Sequence, residues 1–204
     1  MSSLREAQKQ LTRDVIVERA LKLFTEKGYA ATTIDEVAAA AGTTRATFYA
    51  YYPSRADLMR DFMARVNAVL DRADAPEQGS TAVELVDVVR EGDLSGILAW
   101  LESRAALWPV FRPYLDVLDE AAAVDREVRA MLEGWHEEVI SDLVRGMQLA
   151  DRFPEETRHI RGTLAFTSLD YVATLWTRRK FEPNREHALE VLADSWHHLL
   201  CDEG

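Results

Sequence analysis

Between Thr33 and Tyr52 the chain holds two helix starts with almost nothing between them, and no other feature restricts the fold as much. Thr33-Ile34-Asp35-Glu36 has the form of a capping box, in which the threonine hydroxyl accepts from the Glu36 amide and the Glu36 carboxylate reaches back to the Thr33 amide. A helix is expected from Ile34. Ile34, Val37, Ala38 and Ala41 recur at helical spacing and give it an apolar face. Gly42 stands where a left-handed C-cap would end it. Only Gly42 and Thr43 then separate this helix from the next cap, Thr44, so the second helix must turn sharply away and cross the first at close range. Ala38, Ala41 and Gly42 are small enough to allow that crossing.

The second helix is expected from Arg45 to about Tyr51, with Pro53 beyond its end. Phe48 and Tyr52 lie four apart and are expected in the core. Ser54 with Asp57 marks a further start. Upstream, Ile16, Ala20, Leu23 and Phe24 form an apolar stripe ended by Gly28, a brace for the other two helices. Arg5, Lys9 and Arg13 precede it as a basic arm or a first turn. This is the punctuation of a helix-turn-helix, which lays its second helix in the major groove of DNA. Thr44, Arg45 and Thr47 lie at the N-terminal end of that helix, where free amides favour a phosphate. Arg45 has the donor pattern for guanine O6 and N7. Tyr49 and Tyr51 can bring phenol hydroxyls to phosphate oxygens, and Arg55 reads as a phosphate clamp.

The run Gly28-Tyr29, Thr32-Thr33-Ile34, Val37-Ala38, Ala41-Gly42, Thr44-x-Ala46-x-Phe48-Tyr49-x-Tyr51-Tyr52, Ser54-Arg55 and Leu58 closely resembles the tetracycline-repressor (TetR) family. The resemblance covers roughly residues 10–60. It implies DNA contacts at Thr33, Thr44, Arg45, Thr47, Tyr49, Tyr51 and Arg55. Many members have histidine where this chain has Tyr51, so a pH-sensitive contact is lost here while a hydroxyl donor is kept. The resemblance also implies a homodimer on a palindromic operator in double-stranded DNA, released by a small apolar or amphipathic effector.

From Pro53 onward only helical patterns occur. The fold class is expected to be all-α, with an N-terminal three-helix helix-turn-helix head and a C-terminal helical bundle body. The expected boundaries are 1–53 for the DNA-binding domain, a connecting helix over 54–72, and 73–204 for ligand binding and dimerisation. A loop is expected over 74–80, then helices near 81–91, 94–107, 110–123, 125–149, 155–180 and 184–201. The pattern over 155–180 carries apolar residues on two opposite sides, so both sides are expected to be buried. Leu164, Tyr171 and Leu175, with Leu192, Trp196 and Leu199 of the last helix, are expected at a dimer interface. Trp100, Trp108, Phe111, Met131, Trp135, Phe166 and Trp176, with Asp170 as a polar handle, are the candidate lining of an effector pocket. Pockets between bundle helices are common ligand sites. Asp116, Asp119 and Glu120 share a helical edge and read as a solvated face.

The net charge of −11 is divided unevenly. Residues 1–60 hold nine Lys+Arg and seven Asp+Glu, net +2, against fifteen and twenty-eight, net −13, in the remainder. An acidic body is separated from a mildly basic head by more than a Debye length of ~8 Å over most of its extent. The single cysteine, Cys201, excludes an internal disulfide framework. No apolar run approaches the ~20 residues of a membrane span, and a cytoplasmic protein is expected. Signatures of serine hydrolases, zinc peptidases and nucleotide-binding loops are absent. No enzyme activity, cofactor or metal is expected. His197, His198 and Cys201 read as a plain helix end. The sequence therefore points to a sequence-specific transcription regulator, a ligand-released repressor. The alternative is a helical small-molecule carrier or enzyme with a vestigial DNA-binding head.

Overall fold

The computed structural model describes residues 2–72 and 82–201, apart from the side chains of Ser2, Ser3 and Arg5. The expected 74–80 loop and the side chain of Arg5 lie outside the described residues. Among the described residues there are ten helices and no strand. They are α1 (Ser2–Lys27), α2 (Ile34–Ala40), α3 (Arg45–Tyr51), α4 (Arg55–Val69), α5 (Val83–Glu91), α6 (Leu94–Ala105), α7 (Trp108–Val124), α8 (Arg126–Leu149), α9 (Glu155–Thr177) and α10 (Arg185–Leu200). The protein is all-α, as the helical periodicity predicts.

The helix ends follow local chemistry. Thr33 caps α2 by the full capping box, with its amide 2.8 Å from Glu36 Oε2 and its hydroxyl accepting from the Glu36 amide. Gly42, at φ +67°, closes α2 in a Schellman turn, where the Thr43 amide donates to Ala38 and the Gly42 amide to Ala39. Thr44 caps α3 by accepting from the Thr47 amide. The Ser54 hydroxyl and amide both donate to Asp57 Oδ2 ahead of α4. Asp93 caps α6, and Asp125 caps α8 through the amides of Glu127 and Val128. Aspartates with positive φ end α4 and α8, Asp71 and Asp151, each followed by a Schellman bond from Arg72 to Asn67 and from Arg152 to Met147.

Two departures from expectation concern length. The first helix is a single rod from Ser2, so Lys9 and Arg13 belong to its body and not to a separate arm. The helix α4 stops at Val69, where Asp71 takes the left-handed conformation.

The chain forms two compact units. The first joins the head, through Val66, to Pro113–Leu132, so the end of α7 and the start of α8 belong with α1 to α4. Its centre is made by Ile16, Val17, Ala20, Phe24, Val37, Phe48, Leu58 and Phe62, all without solvent exposure. The second takes in Asn67–Arg112 and the chain from Glu133 onward. There α10 packs on both α6 and α9, and α5 packs on α6. Gly146 lets α8 and α5 touch at backbone range: a Cβ there would lie 2.5 Å from Val89 Cβ and 2.9 Å from the Val86 carbonyl.

Candidate nucleic-acid interface

The residues of α3 divide by face. Phe48 and Tyr52 point inward with 0% and 1% exposure. Their rings lie 5.6 Å apart. Tyr52 is held further by a polar group of a kind the sequence pattern did not reveal. Its hydroxyl donates to Asp61 Oδ2, which also accepts from Arg13 Nη2 at 3.2 Å. The Arg13 guanidinium stands 5.1 Å from the Tyr52 ring centroid. Burial first, and then Asp61, push the Tyr52 phenol well above its ordinary range. Arg13, expected near a DNA backbone, is thus a structural residue of the head. Arg65 extends the group by pairing with Asp61 and Asp14.

The opposite side of α3 is open. Thr33, Thr44, Arg45 and Tyr49 are exposed, and Thr47 and Tyr51 are half-buried. The Thr44 and Thr47 hydroxyls are 3.0 Å apart at the first turn. Arg45 Nη1 donates to Asp35 Oδ2 at 2.9 Å, and its guanidinium lies 5.6 Å from the Tyr49 ring centroid. Asp35 raises the already high arginine pKa further, with Tyr49 adding to the effect. Both partners of this pair are largely exposed, so it orients Arg45 while costing little to release. Asp35 is a second-helix partner that spacing alone did not identify.

Arg55, expected as a phosphate clamp, is also engaged within the head. It is half-buried, its Nη2 donates to the Tyr29 carbonyl, and its guanidinium lies 3.8 Å from the Tyr29 centroid and 5.2 Å from that of Phe24. It fastens the turn between α1 and α2 to the start of α4. Glu36 is also more engaged than expected. Besides the capping box it pairs with Lys27, and that pairing, aided by Thr33, draws its carboxyl down to about 2.

The candidate pocket residues are not one group. Met131 falls in the unit that contains the head, while the other seven fall in the second unit. Trp108 and Trp176 meet edge to face at 5.3 Å. Trp135 and His136 approach Phe166 at 6.3 and 5.0 Å, and the Trp135 indole donates to Asn67 Oδ1 at 2.8 Å. Asp170 accepts from Arg112, a guanidinium with 4% residue exposure. Burial lowers the His136 pKa; Asp170 opposes this and Arg112 adds to it. Trp100 stands apart from these groups, stacked on Trp196 at 5.5 Å.

The expected interface residues also separate. Leu164 and Tyr171 are exposed at 51% and 63%, on the same face of α9 as Ile160. Leu175 and Leu199 are half-buried. Leu192 and Trp196 face the chain's own core in place of the expected interface: both are buried, and the Trp196 indole donates to the Ala165 carbonyl of α9 at 3.0 Å. The broad stripe of α10 is covered by α6 and α9. Glu120 lies at an exposed position, as a solvated face requires, and in addition accepts the Tyr29 amide at 2.8 Å. Among the described residues no group of three or more His, Cys, Asp or Glu is placed to hold a metal ion, and no helix is long and apolar enough to cross a membrane.

Residues 16–62 match the model of the bacterial regulatory proteins of the tetR family. The chain is 32% identical over 126 residues to the HTH-type transcriptional repressor LfrR of Mycolicibacterium smegmatis, which covers 58% of this chain and 65% of that protein. It is 28% identical over 91 residues to the regulator AcrR of Shigella flexneri, covering 45% of this chain and 42% of that one. The matches thus span less than two thirds of these relatives. Among solved structures, a TetR-like regulator from Rhodococcus sp. RHA1 superposes with a TM-score of 0.65 at 18% identity, over 94% of this chain and 97% of its own. NalD, described as the secondary repressor of the MexAB-OprM multidrug efflux pump in Pseudomonas aeruginosa, gives 0.64 at 18% identity, over 96% and 99%. At those identities the superpositions establish a shared fold.

Proposed function

The chain belongs to the tetR family of bacterial regulatory proteins, and from that premise we propose that it is a sequence-specific DNA-binding repressor of the cytoplasm. It acts as a homodimer on a palindromic operator and is released by a small apolar or amphipathic effector. The reading is carried by the open first turn of α3, where Thr44, Arg45 and Thr47 gather beside Asp35 while Phe48 and Tyr52 lock the same helix into the head. That turn offers donors to base edges and phosphates from a rigid mount.

The exposed apolar face of α9, Ile160, Leu164 and Tyr171, supports pairing with a second copy. Two paired heads would address successive major grooves about 34 Å apart. The ion pair of Asp170 with the buried Arg112, the rings of Trp135, His136 and Phe166, and the Trp108–Trp176 contact support an effector with an apolar body and a few polar groups. Release follows if the effector prefers a conformation in which the heads no longer match the operator, by no more than its difference in affinity for the two states.

Selection of bound duplexes from a random pool tests this directly. The expected product is an inverted repeat, lost from the protein on addition of a metabolite extract containing the effector. Recovery of no sequence preference, with small-molecule binding or turnover intact, would favour a carrier or enzyme with a vestigial head.

A further inference from the structure

We infer that Glu120 is a positioning residue for DNA reading, holding the turn that precedes α2 against the end of α7. The inference rests on the operator reading proposed above, although its central observation is geometric. Glu120 lies 91 residues from its partner in sequence, yet its Oε2 accepts the Tyr29 amide at 2.8 Å. A Cβ built on Gly28 would lie 3.6 Å from the same oxygen, so the carboxylate sits directly beside the turn. Gly28 has φ +88°, a conformation that leaves the next amide pointing away from α1 and in need of an acceptor.

Both backbone groups of Tyr29 are taken by charged side chains. Glu120 accepts from its amide, and Arg55 donates to its carbonyl. The Arg55 bond joins two parts of the head, whereas the Glu120 bond joins the head to α7. Three residues beyond Tyr29, the buried Thr32 hydroxyl donates to the Gly28 carbonyl at 2.9 Å, and Thr33 then caps α2. The turn is therefore stiff from Gly28 to the first residue of α2. Fixing Tyr29 fixes the direction of α2, and α2 carries Asp35, which orients Arg45.

A second tie, between Arg60 and Glu127, joins α4 to α8 through two long side chains that are both at least half exposed, and such pairs contribute little, whereas Glu120, itself at an exposed position, meets a fixed backbone amide of the buried Tyr29. The edge contact of Phe62 with Tyr114, at 5.2 Å, is apolar and has no hydrogen-bond direction. Glu120 alone among these contacts supplies a directional, charge-assisted bond to the α1–α2 turn. Its loss should leave the head folded while widening the range of angles it takes on α7 and α8. On a paired operator that widening appears as tolerance of half-site spacing, not as loss of base preference.

The experiment uses full-length protein with Glu120→Ala and Glu120→Gln, binding single half-sites and inverted repeats whose spacing is changed by single base pairs. In parallel, spin labels placed at Lys22→Cys and Ala130→Cys, in a Cys201→Ser background, report distances within the head's own unit. Glu120→Ala should bind a single half-site as the wild type does and lose roughly tenfold of its discrimination between spacings, in line with a hydrogen bond to a charged group. The label distances should broaden. Glu120→Gln, whose amide oxygen still accepts from Tyr29, should recover most of both. Wild-type spacing preference and unbroadened distances in Glu120→Ala would overturn the inference, as would equal loss on half-sites and repeats with a lowered Tm. If the wild type itself ignores spacing, the operator reading fails, and the label distances then decide the role of Glu120 alone.

Discussion

Helices α3 and α9 both hold aromatic residues inward and leave another face open, but the open faces differ in chemistry. That of α3 presents hydroxyls, a guanidinium and a phenol; that of α9 presents Ile160, Leu164 and Tyr171, each more than half exposed. A duplex is a wet, charged partner met through donors, and its affinity depends on salt. A mainly apolar face gains little from such a partner and is stabilised by covering it with another apolar surface. The two helices also differ beneath the surface. Below α3 a charged group, Arg13, Asp61 and Arg65, fixes the Tyr52 hydroxyl. Below α9 rings and small residues predominate, with the Trp196 indole aimed at a helix carbonyl and an ion pair of Asp170 with the buried Arg112. A polar mount sets angles, while an apolar one mainly sets stability.

The largest expected effect lies in the body. Trp196→Ala removes a fully buried ring stacked on Trp100 and should cost about 3–5 kcal/mol of unfolding free energy. The measurement is denaturant unfolding, repeated in a Leu164→Asp background. An equal loss in both backgrounds places Trp196 inside one chain. A much smaller loss once pairing is removed would return it to a subunit interface and break the contrast between the faces of α9 and α10.

Leu164→Asp itself is the next test. It places a carboxylate in the middle of the exposed α9 face and should convert the eluting species to a single subunit. Binding to a paired operator should fall roughly a hundredfold or more, because the second head no longer acts at high effective concentration, while binding to a single half-site is retained. A variant that still elutes as a dimer would show that another surface does the pairing.

The head was legible from sequence because its signals are short-range. The capping box at Thr33, the left-handed Gly42, the cap at Thr44 and the Ser54–Asp57 pair each act within a few residues. The body's helix limits were legible for the same reason, through Gly92-Asp93, Asp125 and the Asp151–Pro154 break. What periodicity lacks is the identity of the neighbour. The stripe of α10 looks alike whether α6 or a second chain covers it, so periodicity does not reveal that Leu192 and Trp196 are buried within one chain. Arg13, Arg55 and Glu120 are long-range cases: each looks like a surface charge until folding brings Asp61, the Tyr29 carbonyl or the Tyr29 amide beside it.

Arg45 and Arg55 separate the open face of α3 from its mount. Arg45→Ala should leave Tm unchanged and lose about 1–3 kcal/mol of preference at one base position of the selected site. Arg55→Ala should weaken binding to all sequences alike and lower Tm, since it removes the bond to the Tyr29 carbonyl and the cover over Phe24. Unchanged Tm in Arg55→Ala would return that residue to the phosphate backbone. Equal loss of base preference in both variants would erase the distinction.

The smallest effect tests the cap from which α2 grows. Thr33→Ala should cost about 1 kcal/mol by leaving the Glu36 amide without its acceptor. Glu36 adds a pH dependence of definite sign. Lys27 first, and then the Thr33 amide and hydroxyl, lower its carboxyl from 4.5 to about 2. A carboxyl depressed on folding stabilises the fold above its unfolded value and ceases to do so as pH falls through its folded value. The stability difference between wild type and Glu36→Gln should therefore be full at pH 6, shrink below 4.5 and vanish near 2. Because the pair is exposed, added salt should reduce the Lys27 part of that difference and leave the Thr33 part. A difference that stays flat from pH 6 to 3 would mean that Glu36 caps α2 through its shape alone, and that the charge beside the DNA-reading turn has no part in holding it.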